Sequence, residues 1–89
     1  MKVHVEAMLY VTLNRNALRV LKALNKAWMP VHALEGLLNM KRGTIHYYVN
    51  KLEKLGLIEC VKVSKKKFCK QTELGAKIIE IIQRKANKI

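Results

Sequence analysis

The sequence predicts a small α+β fold, mainly helical, and three observations carry that prediction. Apolar residues recur at helical spacing in successive stretches between Leu13 and Leu55, the period drops to two between Ile58 and Gln71, and helical spacing returns from Leu74 onward. Eighty-nine residues make a single domain, 1–89, and a hydrophobic content of 51% supplies a core despite the heavy charge. A chain of this size buries only roughly 60 to 65% of its unfolded surface. That leaves little room for a solvent-excluding catalytic cavity and favours a binding module.

The elements follow in order. Leu13, Ala17, Val20, Leu21 and Leu24 form one helical face, with Asn14 or Asn16 as the cap. The stripe fades near Ala27, ahead of Pro30, which disfavours helix in the residue before it. Trp28, at this end, is expected to pack in the core. Residues 2–12 suit a strand or a short helix equally. Val31, Leu34, Leu37 and Leu38 give a second, shorter helix just after Pro30, interrupted at Asn39 and Met40. Ile45, Tyr48, Val49, Leu52 and Leu55 give a third, about 42–55, stopped by Gly56. Alternation then sets Ile58, Cys60 and Lys62 against Glu59, Val61 and Val63, with Ser64 to Lys67 as a turn and Phe68 to Gln71 as the return strand. A last helix opens at Thr72 and Glu73 and runs to about Lys88.

Eighteen Lys and Arg against six Glu give a formal charge of +12, which points to a polyanionic partner. No apolar run approaches a membrane span and the start of the chain has no signal-peptide core, so a soluble, cytoplasmic protein is expected. Cys60 and Cys69 are too few for a disulfide framework and lack zinc-finger spacing. The favoured reading makes them two small buried hydrophobes in a reducing compartment; a disulfide across the hairpin, or a thiol sensor, is the other. His4 and His32 match no metal motif with the cysteines. The chain is expected to need no metal and no cofactor, and with no acid or nucleophile to partner His46, it is not expected to be an enzyme.

The second and third helices are joined by a few residues only, the helix-turn-helix arrangement, about 31–55. Because Ile45, Val49 and Leu52 take the apolar side of the third helix, Arg42, Gly43, His46, Tyr47 and Asn50 fall on the solvent side, where they can reach base edges. Lys41 and Arg42 add charge to a helix N-terminus that already favours anions. From Lys41 to Lys70 nine cations stand against Glu53 and Glu59.

The stretch Leu34 to Ile58, LEGLLNMKRGTIHYYVNKLEKLGLI, resembles the helix-turn-helix, recognition helix and L-x-x-x-G-L-I of winged helix-turn-helix transcriptional regulators related to the MarR, ArsR and PadR groups. Thr72 to Gly75 is similar to their L-T-x-x-G. Gln71 replaces the usual leucine before Thr72, and Met40 with Lys41 replaces the commoner Val-Ser of the turn. The resemblance implies a three-helix core, a β-hairpin wing at about 57–71 and a C-terminal dimerisation helix at about 72–88. It also implies a recognition helix in the DNA major groove, with the wing on flanking DNA. The expected DNA-binding residues are Lys41, Arg42, Gly43, Thr44, His46, Tyr47, Asn50 and Lys51, with Lys65, Lys66 and Lys67 of the wing.

In the last helix Leu74, Ile78 and Ile81 form a stripe for the chain's own core, and Ile79, Ile82, Ala86 and Ile89 form a second, offset stripe. With Leu9 of the apolar N-terminal segment, that second stripe is the expected interface of a two-fold homodimer. The expected function is sequence-specific binding of double-stranded DNA, at a palindromic site, to regulate transcription. The alternatives are a non-specific architectural DNA-binding protein and a winged-helix interaction module within a larger complex.

Overall fold

In this computed structural model, which describes the backbone of residues 2–87 and the side chains of residues 5–84, the chain runs α1 (Lys2–Leu13), α2 (Arg15–Ala23), β1 (Met29–Pro30), α3 (Ala33–Leu38), α4 (Arg42–Lys54), β2 (Ile58–Val63), β3 (Lys66–Gln71) and α5 (Glu73–Asn87). The segment that the sequence leaves open between strand and helix is thus a helix, α1. Ala7 and Val11 face inward along it, while Val5, Leu9 and Leu13 lie four residues apart on the outside. Leu13 belongs to α1 and is 78% exposed, so it is not part of the stripe that the sequence assigns it to. Asn14 breaks the two helices apart in an extended conformation, its Nδ2 donating to the Tyr10 carbonyl at 2.9 Å. The first helix of the sequence reading is α2, shorter than expected. Its Ala17, Val20 and Leu21 are buried, as is Leu24 just beyond it.

α3 ends at Asn39, whose left-handed backbone (φ 53) turns the chain into α4. On α4 the buried residues are Ile45, Val49 and Leu52, as the spacing predicts, with Tyr48 and Leu55 partly buried beside them. Gly56, at φ 77, ends the helix in the conformation that favours glycine.

β2 and β3 pair antiparallel from Ile58↔Gln71 to Val63↔Lys66. The turn is two residues, Ser64 and Lys65, both at positive φ as a tight hairpin of this kind requires. Lys66 and Lys67 therefore belong to β3, not to the four-residue turn that the sequence suggests, because they complete the pairing of Val63 and Lys62. β1, unforeseen, adds a third strand on the other edge of β3, pairing Met29 with Cys69 and Pro30 with Phe68. It brings Trp28 to the sheet's outer side. There the ring is 44% exposed, and the Lys70 ammonium stands 4.6 Å above it, so Trp28 does not pack in the core.

Cys60 and Cys69 are cross-strand partners with Cα atoms 4.1 Å apart, and they form a disulfide. The favoured reading of two free thiols is corrected: register places the sulfurs together, and the bond ties β2 to β3 behind the lysine pair Lys62↔Lys67.

α5 starts against the wing base. Thr72 caps it, its Oγ1 accepting from the Gly75 N–H at 3.1 Å and donating to the Gly56 carbonyl at 2.7 Å. A β-carbon on Gly75 would stand 2.1 Å from the Leu57 carbonyl oxygen, so only glycine lets α5 come this close. Gln71 has its own role here. Its Nε2 donates to the carbonyls of Leu21 and Leu24 at the end of α2, which the leucine common at this position could not do.

Two measurements check this packing. Gly75→Ala should lower unfolding free energy by about 1–3 kcal/mol, whereas Gly36→Ala in α3, with no atom within 4 Å of the new methyl, should raise it by about 0.5–1 kcal/mol. Equal effects in denaturant melts would contradict the close approach. Reduction of Cys60–Cys69, which closes a loop of nine residues' separation, should cost about 2–3 kcal/mol by loop entropy. Alkylation of both cysteines in untreated protein would show that the bond is not formed.

Candidate nucleic-acid interface

α4 exposes two stripes, not one. Arg42, His46 and Asn50, at i, i+4 and i+8, turn toward the wing. Tyr47 and Lys51 lie on the other flank, where the Lys51 ammonium sits 5.8 Å from the Tyr47 ring centre and Tyr47 meets Tyr48 edge-on at 5.2 Å. Tyr10 of α1 lies close to these two rings, and burial, then the neighbouring Tyr47 and Tyr48, push its hydroxyl pKa up. The expected recognition residues therefore divide. Arg42, His46 and Asn50 line a groove with the wing. Tyr47 and Lys51 occupy the far side, and Lys41, Gly43 and Thr44 stand exposed at the helix start. Tyr48, read as a core residue, is partly buried against the core.

The groove between α4 and the wing has a volume of about 750 Å³. Its α4 wall is Arg42, His46 and Asn50; its wing wall is Lys62, Lys65, Lys66 and Lys67; and Val31, His32 and Glu35 close the end at α3. Five cations thus face one carboxylate, that of Glu35, which lies 3.5 Å from Arg42 Nε. Lys67 differs from its neighbours. Its Nζ is 3.4 Å from Asn50 Oδ1 and 3.8 Å from Glu53 Oε1.

Lys62 was not singled out from the sequence as a site residue, although the alternation that pairs it with Ile58 and Cys60 already puts it on the inner side of the hairpin. His32, Glu35 and Glu53 carry no sequence signal of their own. They enter because the wing docks beside α4.

The helix start is uncapped by any side chain. Lys41, in extended conformation, occupies the capping position and makes no side-chain bond there, so the departure from Val-Ser in the turn leaves the first-turn amides to other partners.

Away from this face, the expected dimer residues sit as follows. Leu9 is 54% exposed in line with Val5 and Leu13, and Ile79 and Ile82 are half-buried against the chain's own core. The Ala86 side chain and Ile89 lie outside the described residues. Among the described residues no group of three or more His, Cys, Asp or Glu side chains could hold a metal ion, and no helix is long and apolar enough to cross a membrane.

No protein-family model matches the chain, and no curated protein matches it. Solved structures do. HlyU from Vibrio cholerae N16961 is 22% identical with a TM-score of 0.76 over 93% of this chain and 91% of that one. TubR from Bacillus thuringiensis serovar israelensis pBtoxis, solved bound to 24 bp of tubC, is 22% identical with a TM-score of 0.77 over 92% of this chain and 94% of that one. The homodimeric winged helix-turn-helix DNA-binding domain of a possible ArsR-family transcriptional regulator from Mycobacterium bovis is 20% identical with a TM-score of 0.81, over 96% of this chain and 80% of that one. With α3 and α4 as the helix pair, β2 and β3 as the wing and a mainly helical α+β composition, the chain has the winged helix-turn-helix fold.

Proposed function

We propose that this chain binds double-stranded DNA with sequence preference, as a homodimer, and regulates transcription. The observation that carries this reading is the groove itself. Three side chains able to read base edges, Arg42, His46 and Asn50, stand opposite a wall of wing lysines at one concave, strongly basic surface. Arginine can grip guanine through two hydrogen bonds, and lysine neutralises phosphate without regard to sequence, so reading and anchoring are divided between α4 and the wing. Tyr47, Lys51, Lys41, Gly43 and Thr44 extend the contact across the rest of the helix. Two of the structural neighbours lend support, one solved on DNA and one homodimeric.

The dimer reading rests on α1. Val5, Leu9 and Leu13 expose 59%, 54% and 78% of their surface in one stripe, and a second copy is the simplest cover for it, joined by the exposed parts of Ile79 and Ile82 and by Ala86 and Ile89. A two-fold dimer would set two copies of α4 about one helical turn of DNA apart, which calls for a palindromic site.

Selection of bound duplexes from a random pool should return a palindrome. On that duplex, Lys65→Gln with Lys66→Gln should flatten the slope of log affinity against log salt by about 2 units while sparing base preference. Arg42→Ala should instead relax preference at one or two positions. Leu9→Glu with Leu13→Glu should convert a dimer to a monomer in sedimentation. No enriched sequence, or a wild-type monomer at micromolar concentration, would overturn the corresponding part of the reading.

A further inference from the structure

Among the described residues, the side-chain hydrogen bond and ion pair that join β3 to α4 both come from Lys67. Asn50 and Glu53 are three residues apart and so share a face of α4, and Lys67 reaches both, at 3.4 and 3.8 Å. The main chain of Lys67 is engaged as well, its carbonyl accepting from the Val31 N–H at 2.9 Å. The same residue is therefore fastened to the chain leading into α3 by its backbone and to α4 by its ammonium. Its side chain is 27% exposed, whereas Lys65 and Lys66 at the turn are exposed residues. An ammonium only donates, so the atom that it meets on Asn50 must be the amide oxygen, and the Nδ2 donors are left for the groove that Asn50 lines.

The geometry points to Lys67 as a positioning residue, which with Glu53 sets the wing against the recognition helix and fixes the Asn50 amide with its donors available to bases. This deepens the DNA-binding reading and rests on it. Its consequence runs against simple electrostatics. Glu53 is a negative charge at a face that would meet phosphate, and were it only a charge, its removal would tighten binding to any duplex. As the partner of Lys67 it holds the wing lysines in register with α4, so its removal should loosen binding to the preferred duplex.

The test compares the full-length wild type with Glu53→Gln, Lys67→Met, Lys67→Arg and the exchanged pair Glu53→Lys with Lys67→Glu. The probes are the duplex that the wild type selects from a random pool and a scrambled duplex of equal length. Glu53→Gln and Lys67→Met should each weaken the selected duplex by about two- to fivefold, the range open to an exposed ion pair, without weakening the scrambled one. Lys67→Arg should keep most of the affinity, whereas the exchanged pair, at unchanged net charge, restores the ion pair but not the donor to Asn50 Oδ1 and should recover only part of the loss. Lys67→Met should leave the salt slope as it was, where Lys65→Gln lowers it by about 0.9. Tighter binding of Glu53→Gln to both duplexes, or a fall of about 0.9 in the Lys67→Met slope, would overturn the proposal while leaving DNA binding standing. A wild type that binds neither duplex would remove the DNA-binding reading and the proposal together.

Discussion

The carbonyl of Leu57 accepts a hydrogen bond from the Thr72 N–H at 3.1 Å, and α5 closes over that carbonyl because Gly75 has no β-carbon. The hairpin leaves the helical core at Leu57 and rejoins it at Thr72, so this contact pins both ends of the wing at one place. The same junction gathers the Leu57 N–H onto the Leu52 carbonyl at 3.0 Å, the Thr72 hydroxyl onto Gly56, and the Gln71 amide onto the last carbonyls of α2. Each of these groups would otherwise be a helix end or strand end short of a partner, and a buried polar group left unmade costs about 1–3 kcal/mol. This junction fixes where the wing leaves and rejoins the helical core, the base from which the Lys67 contact to α4 sets the wing beside the recognition-like helix.

Carboxylates shape the charged face more than they oppose it. Glu35 lies against Arg42, Glu53 against Lys67 and Glu59 against Lys70. Exposed pairs of this sort contribute little to stability, about 0–1 kcal/mol each. Their effect is on geometry, since each restrains a long cation at the edge of α4 or along the sheet. Lys62, Lys65 and Lys66 take part in none of the ion pairs among the described residues, and they supply the wing's share of the positive charge around the groove. The disulfide between Cys60 and Cys69 lies directly behind the Lys62↔Lys67 pair and holds the two arms in step.

Legibility in the sequence followed the strength of local constraint. α4 was plain because Ile45, Val49 and Leu52 set its buried side and Gly56 its end, and the hairpin was plain because its period changed at Ile58. α1 stayed ambiguous because it is apolar on both sides: Ala7 and Val11 serve this chain's core, while Val5, Leu9 and Leu13 look outward, and no single stripe results. β1 exists only through its pairing with β3, a long-range event that two residues, Met29 and Pro30, cannot announce. The exposed position of Trp28 follows from that strand, and the disulfide follows from register, neither of which spacing alone reveals. The exposed side of α4 that carries Arg42, His46, Tyr47 and Asn50 was legible as a surface. Its division into a groove-lining stripe and a far flank was not, because it depends on where the wing comes to rest.

The central claim is that α4 and the wing form one surface for duplex DNA. Amide chemical shifts recorded as the selected duplex is titrated into labelled protein test it most directly. The account predicts that the largest changes fall on Lys41 to Asn50 and on Lys62 to Lys67, with the sheet's outer side at Trp28 and Val61 little moved. Changes concentrated on α5 or around Trp28, with Arg42 and His46 unperturbed, would contradict it.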